Sequence, residues 1–278
     1  VEVSPSQLKM FGDCARMWYY KYQLGLDGEQ VNAYTVLGSV FHYAMDVYET
    51  YGHDIDLAVR TFRHYWNNLD ELGLRIDIYP PRGLSHEKLE ERGVDMLERY
   101  HSMEPFKGGI LVGTEIEFRV PLGEHVIRGI IDKLWLRPQK RELEVIDFKT
   151  GASVPEKLRY NVQFTSYMYA TTRPEFWQEI PGFEEFWVDS LEFKRKGAWY
   201  HARNSKMYNC GYRGDLDYRR LLMAVESMAA CVEADAYPLT ISGEACGYCG
   251  FIDICGTEVA SPLSDVIKHP EVVFDAGS

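Results

Sequence analysis

Apolar residues recur at helical spacing from the start of the chain. In SPSQLKMFGDCARMWYYKYQLGL, Leu8, Phe11, Ala15, Trp18 and Tyr22 fall three or four positions apart. That spacing predicts one helix. Ser4 or Ser6 is its N-cap, Pro5 suits its first turn, and Gly25 and Gly28 end it. TVLGSVFHYAMDVYETYG predicts a second helix that stops at Gly52. Residues 54–72 and 84–104 carry two more helical patterns, parted by Pro80-Pro81 and Gly83.

At Val112 the period changes from helical to alternating. VGTEIEFRVPLG, HVIRGIIDKLWLR and ELEVIDFKTG are three strand-like runs with short polar breaks. PEKLRYNVQFTSYMYATTR returns to helix. FEEFWVDSLEFKR and AWYHARN predict two further strands, and residues 214–236 a long helix. A cysteine-rich knot at 246–255 and a tail follow. No internal repeat or low-complexity tract is present. Strands bracketed by helices predict an α/β class chain with one central mixed sheet.

Two strands break their own pattern. In RGIIDKLWL, Asp132 shares a strand face with Ile130, Leu134 and Leu136. In ELEVIDFKTG, Asp147 and Lys149 share a face with Leu143 and Val145. A carboxylate on an apolar face is costly unless it is paired or metal-bound. One reading is a buried salt bridge from Lys149 to either acid. The other is a divalent-cation site, since paired carboxylates are hard oxygen ligands for Mg²⁺ or Mn²⁺. A lysine beside it would help to activate water or to steady developing charge.

Composition narrows the classes. A chain of 278 residues, 46% hydrophobic and 26% charged, suits one large globular domain or two small ones. The formal net charge of −12 argues against coating nucleic acid through bulk charge. It leaves room for a local basic groove. Arg128, Lys133, Arg137, Lys140, Arg141, Lys149, Lys157 and Arg159 cluster in one segment, and Lys194, Arg195 and Lys196 in another. These serve equally as solvated faces or as such a groove. No run reaches 18 apolar residues, so no membrane span is expected. The first residues lack a signal-peptide pattern, and the six cysteines then suit a reduced, cytoplasmic setting.

Three of those cysteines, Cys246-x₂-Cys249-x₅-Cys255, are dense enough to read as metal ligands, for zinc or an iron–sulfur cluster. Cys14, Cys210 and Cys231 are candidates for a fourth. Cys231 lies in the long predicted helix and reads as a buried thiol.

Four motifs in order resemble the RecB branch of the PD-(D/E)XK nucleases. They are Gly38-x-x-x-His42, Gly129-x-x-Asp132, Asp147-Phe148-Lys149-Thr150-Gly151 and Gln163-x-x-x-Tyr167. The resemblance implies a restriction-endonuclease-like core. His42, Asp132, Asp147 and the Phe148 carbonyl would be metal ligands, and Lys149 the catalytic lysine. Gln163 and Tyr167, four apart on one helix face, would orient the site or touch DNA. Glu115 is an accessory acid or a solvent-facing strand residue.

The iron–sulfur members of that branch place one cysteine before the histidine motif and three after the core. Cys14, Cys246, Cys249 and Cys255 match them, with Ala15 standing where the family usually has proline. The resemblance thus implies a [4Fe-4S] cluster beside Mg²⁺ or Mn²⁺. It also implies one nuclease domain over 1–278: a composite cluster module from 4–24 with 240–262, a helical region over 34–110, a core over 111–236 and a tail over 257–278. Such a cluster would tie distant parts of the chain together like a clip. Trp18, Tyr19 and Tyr20 serve as stacking surfaces for bases or as packing.

The implied activity is metal-dependent hydrolysis of DNA, as an exonuclease with single-stranded DNA the favoured substrate. Recombination, repair, phage DNA processing and CRISPR adaptation are its settings. No G-x-x-x-x-G-K-[ST] motif is present, so a helicase, recombinase or integrase would be a separate partner. The alternative is a catalytically silent DNA-binding or scaffolding subunit that keeps the fold.

Overall fold

The structure is a computed structural model that describes residues 1–26, 31–77, 84–103, 107–151, 158–240, 243–247 and 249–256. Pro80, Pro81, Gly83, Gly28, Lys157 and the tail lie outside these residues. The chain divides into two compact units. One comprises residues 1–8 and 30–230; the other comprises 9–29 and 231–278.

The first unit is built on one six-stranded sheet. Its strands are β1 (Glu2–Val3), β2 (Ile110–Leu122), β3 (His125–Arg137), β4 (Glu142–Lys149), β5 (Lys194–His201) and β6 (Lys206–Tyr212). β2, β3 and β4 form an antiparallel meander, β5 runs parallel to β4, and β6 turns back along β5. β2 lines one edge of β3 for its whole length, so β1 and β4 share the other edge. The sheet is therefore mixed, as the sequence pattern predicts.

Three helices cover one face: α3 (Ala33–Thr50), α4 (Ile55–Asn67) and α5 (His86–Ser102). Each starts on a capping side chain, Asn32, Asp54 and Ser85 respectively, which accepts the backbone N–H of Tyr34, Leu57 and Lys88. They bury Phe41, Phe62, Trp66 and Leu97 against Trp135, Ile146, Phe148 and Tyr200 of the sheet. The opposite face of β3, β4 and β5 receives α6 (Val162–Ala170). There Gly197 leaves room for Met168 and Phe164, which would overlap any Cβ at that position.

The helical face also holds a buried ion pair. Lys133 and Glu49 are both fully buried, with Nζ 2.6 Å from Glu49 Oε1. The Tyr100 hydroxyl donates to the same oxygen at 2.8 Å. Burial pulls the lysine below its ordinary range, and Glu49 opposes that shift.

Two expectations need correction. FEEFWVDSLEFKR is not a strand: apart from Lys194 and Arg195 it forms turns and a short helix over Trp187–Ser190. Its aromatics pack on one another and on Trp177, with Phe186 5.1 Å from Trp177 and 5.7 Å from Phe193 between ring centres. The Trp187 indole donates to the Thr172 carbonyl at 3.0 Å. Alternating aromatics imitate a strand here because local turns close around them. AWYHARN then supplies only the end of β5 and a turn, and β6 was not expected at all.

The first predicted helix is also broken. In the second unit, Cys14 is extended, at φ −163° and ψ 113°. It parts α1 (Pro5–Asp13) from α2 (Ala15–Trp18), and a wider π-type turn runs through Tyr19–Gln23. Apolar spacing cannot register a single extended residue, because the pattern resumes on its far side. Trp18 and Tyr20 are buried, packed on Tyr237 and Phe251 respectively. They serve as packing and present no stacking surface.

Candidate metal centre

The site forms where two neighbouring strands part. The β3–β4 ladder ends at the pair Lys133–Ile146. One step further, Asp132 takes over from the ladder: its Oδ2 accepts the Phe148 N–H at 2.7 Å. Asp132 thus closes the gap with its side chain and stays buried at 8% exposure. On β4, Asp147 is fully buried, and Lys149 reaches back to it with Nζ 2.9 Å from Oδ1 and 2.7 Å from Oδ2. Ile130, expected inside with Asp132, is exposed, so the apolar face of β3 begins only at Leu134.

α3 brings His42 to the gap. Its Nε2 donates to the Phe148 carbonyl at 3.0 Å. That leaves Nδ1 facing the acids, 3.5 Å from Asp132 Oδ2 and 3.6 Å from Glu115 Oε1. Gly38, one turn earlier, has its reason here: a Cβ would stand 2.9 Å from Thr150 Oγ1. The absent side chain lets the Asp147–Thr150 segment lie against the helix. Arg203 holds that segment from β5's end, with Nε 2.6 Å from the Thr150 carbonyl.

Glu115 is the residue the sequence placed least firmly. It faces Asp132 from β2 with a left-handed backbone, φ +44°. Such a conformation costs a non-glycine residue roughly 1–2 kcal/mol. The neighbouring Thr114 hydroxyl donates to Asp46, one turn beyond His42, and pins β2 to α3. The ligand atoms of His42, Glu115 and Asp132 all lie within 4.8 Å of one another. Asp147 stands beside this set, tied to Lys149. The Phe148 carbonyl, expected as a ligand, is occupied by His42.

The electrostatics are those of a crowded anionic centre. Burial, then the Asp132 charge, pushes the Asp147 carboxyl up to about 7 against the pull of Lys149. Asp132 is raised, mainly by burial. For His42, burial works to lower the value, yet Glu115 and the two aspartates together hold it above the ordinary range. Asp147 Oδ2 is buried without a well-directed hydrogen bond. Buried carboxylates crowded beside a histidine, with a single lysine against them, are the donor set that a hard divalent cation takes.

Gln163 and Tyr167 meet each other on α6, amide nitrogen to hydroxyl at 2.7 Å. Burial, then Asp147 and Asp132, raises the Tyr167 hydroxyl far above its usual range, so it stays protonated as a donor. Gly129 matters here, since a Cβ would meet the Phe118 ring at 2.9 Å and Tyr167 at 3.4 Å. A cavity of about 560 Å³ opens beside His42 and Glu115, walled by Tyr34, Tyr43 and Asp46. Sequence spacing gave no signal for Asp46, Tyr34, Tyr43 or Arg203. They reach the site only through the packing of α3 on β2 and β4.

A family model described as the PD-(D/E)XK nuclease superfamily matches residues 2–256. The chain belongs to that superfamily. PD-(D/E)XK membership agrees with the mixed sheet flanked by helices. It makes the chain one of a superfamily of metal-dependent nucleases and implies DNA as the substrate class. The solved structure titled "Crystal structure of SSO0001" is similar at 15% identity, over 84% of this PD-(D/E)XK chain and 90% of that chain, with a TM-score of 0.31. A search of curated proteins found no match. Among the described residues, no helix is long and apolar enough to cross a membrane.

The second unit holds the four expected cysteines together. Cys14, Cys246, Cys249 and Cys255 line one small cavity with Tyr20 and Ile252. Burial and the nearby Cys14, Cys249 and Cys246 sulfurs push the Cys255 thiol up, while a hydrogen bond with Tyr20 opposes the shift. Cys210 lies buried on β6 in the first unit, and Cys231 does not line this cavity.

Proposed function

We propose that the chain is a DNA exonuclease of the RecB-like iron–sulfur branch, acting on single strands. The convergence of His42, Glu115 and Asp132 beside the Asp147–Lys149 pair carries this reading. His42 Nδ1, Glu115, Asp132 and Asp147 would hold Mg²⁺ or Mn²⁺, with the Phe148 carbonyl fixing the His42 ring through Nε2. When bound, that ion supplies Lewis acidity at the scissile phosphate and lowers the pKa of attacking water. Lys149 already lies against Asp147, so its ammonium would sit where negative charge grows during hydrolysis. Tyr167, held by Gln163 and kept protonated, would donate to a phosphate oxygen. Tyr34 carries the Arg203 guanidinium 4.6 Å over its ring, and the exposed Tyr43 ring on the adjoining cavity suits stacking on an unpaired base, which supports a single-stranded substrate.

Four cysteines that line one cavity support a bound metal group. Zinc holds thiolates at about 2.3 Å, which puts the sulfurs about 3.8 Å apart. Among the described residues, no three cysteine sulfurs lie mutually within 4.8 Å, though all four line one cavity. The wider spread favours a [4Fe-4S] cluster, whose chemistry here would be to cross-link the residues of this unit.

Anaerobically purified protein is given end-labelled single- and double-stranded DNA with Mn²⁺ or with EDTA, beside Lys149→Ala. Cutting that needs metal and falls about 100- to 1000-fold in the variant is expected, given the usual worth of such electrostatic groups. Release of label as mononucleotides marks an exonuclease. Absence of cutting on every DNA form, with the cluster intact, overturns the reading.

A further inference from the structure

Most basic side chains on this sheet have carboxylate partners. Arg137 and Lys196 share Glu144, Arg141 meets Glu192, and Arg128 meets Glu2. These residues form no basic groove. The amino end of β5 differs. A cavity of about 810 Å³ there is lined by Arg173, Lys194, Arg195, Arg213 and Arg219, against one acid, Asp215.

Two of these guanidinium groups are buried, Arg195 at 8% and Arg213 at 7% exposure. Arg195 donates to Thr171 Oγ1 and its carbonyl at 2.9 and 3.0 Å, and to the Phe193 carbonyl at 3.1 Å. Arg213 donates to Thr165 Oγ1 at 3.0 Å and to the Cys210 and Leu158 carbonyls at 2.7 and 3.1 Å. All these acceptors are neutral. Asp217 acts on Arg213 only at longer range, because its two oxygens are taken by Arg159 at 2.9 and 3.1 Å. Buried charge without a bonded counter-ion is expensive. Two further polar groups of the lining, the Tyr218 hydroxyl and Arg173 Nε, are buried without a hydrogen-bond partner.

We propose that this cavity binds the phosphate of a nucleotide. The cationic floor and the two orphaned groups receive the phosphate oxygens. Leu122, Leu222 and the Tyr169 and Tyr212 rings give the sugar and base an apolar wall. β5 carries Lys194 at this cavity and His201 beside Lys149 at its other end. Seven strand steps of about 3.3 Å separate the two by roughly 23 Å, so the Lys194 end of the cavity lies apart from the catalytic cleft. The nucleotide is either free or part of a DNA strand that runs on beyond the cleft.

Titration calorimetry in EDTA separates these sources, with nuclease activity silenced. Inorganic phosphate, dAMP and a short single-stranded oligonucleotide are each titrated into the whole protein and into Lys194→Glu/Arg219→Glu. Both changed residues lie on the exposed rim. At least a tenfold loss of dAMP affinity is expected for a free nucleotide. The same loss for the oligonucleotide, with dAMP inert, assigns the site to a strand. Tyr218→Phe, which removes only the orphaned hydroxyl, weakens the same ligand about fivefold. Unchanged binding of dAMP and oligonucleotide in the double variant overturns the proposal, as does a response confined to inorganic phosphate.

Discussion

Glu115 holds a strained backbone for a carboxylate that, among the described residues, has only His42 as an ion-pair partner. Glu115→Gln keeps its shape and removes the charge. Mn²⁺ affinity, measured by calorimetry, should fall by roughly tenfold or more. The proton chemistry of the metal-free site gives a second outcome. The folded chain keeps Asp147 protonated up to about 7, whereas the ordinary value is 3.8. Between those values the folded state binds more protons, so its stability falls as pH rises. His42 acts in the same direction: its stabilisation is full below its ordinary 6.5 and is lost as pH rises through its raised folded value. Urea unfolding in EDTA should show a protein less stable at about pH 8 than at about pH 5, by on the order of 2 kcal/mol. Asp147→Asn should flatten part of that slope. Asp132, Asp147, Lys149 and His42 were legible as candidates, because charge on apolar faces and a glycine within a helix are anomalies along the chain. The left-handed turn at Glu115 leaves no such trace, since nothing local requires glycine to be replaced there.

At the level of elements, the buried Lys133–Glu49 pair fastens α3 to β3 close to His42. Neither partner was foreseen, because Lys133 reads as one more member of a basic segment until α3 is laid across it. Removing one charge strands the other. Glu49→Gln should destabilise the protein by about 3–5 kcal/mol, whereas Lys133→Met with Glu49→Leu, which leaves only the Tyr100 hydroxyl without its acceptor, should cost about 1–3 kcal/mol. Denaturant midpoints of the two variants decide this, and equal losses would mean that the pair is not the fastening. The helices over residues 33–50, 55–67 and 86–102 and the three-strand meander were readable from period, whereas the break at Cys14 was not. The stretch before β5 was not, because aromatic alternation arises equally from a strand and from rings clustered by turns.

For the whole molecule, the cysteines join segments more than 200 positions apart in sequence, Cys14 to Cys246, within one compact unit. If a cluster holds them, Cys255→Ala should lose the absorbance of iron–sulfur charge transfer and lower the melting temperature of the anaerobic protein by several degrees. A variant that keeps its iron and its melting curve would count against that role. Cysteine spacing marks Cys246, Cys249 and Cys255, and only the family resemblance adds Cys14, whereas the nucleotide cavity is assembled from β5, β6, α6 and residues 214–222 and has no signature in any one stretch.

The parting of β3 and β4 also has a consequence in time. His42, Glu115, Asp132 and Asp147 come from four elements that span more than 100 residues, and β5 must return parallel to β4 to brace the last of them. Contacts so distant in sequence make folding slow, because the closure entropy is met before they form. A chain emerging from the ribosome therefore carries every acidic ligand before it has a place to put them. Cutting power would arrive only with the completed sheet, and a half-made molecule is harmless to the nucleic acid around it.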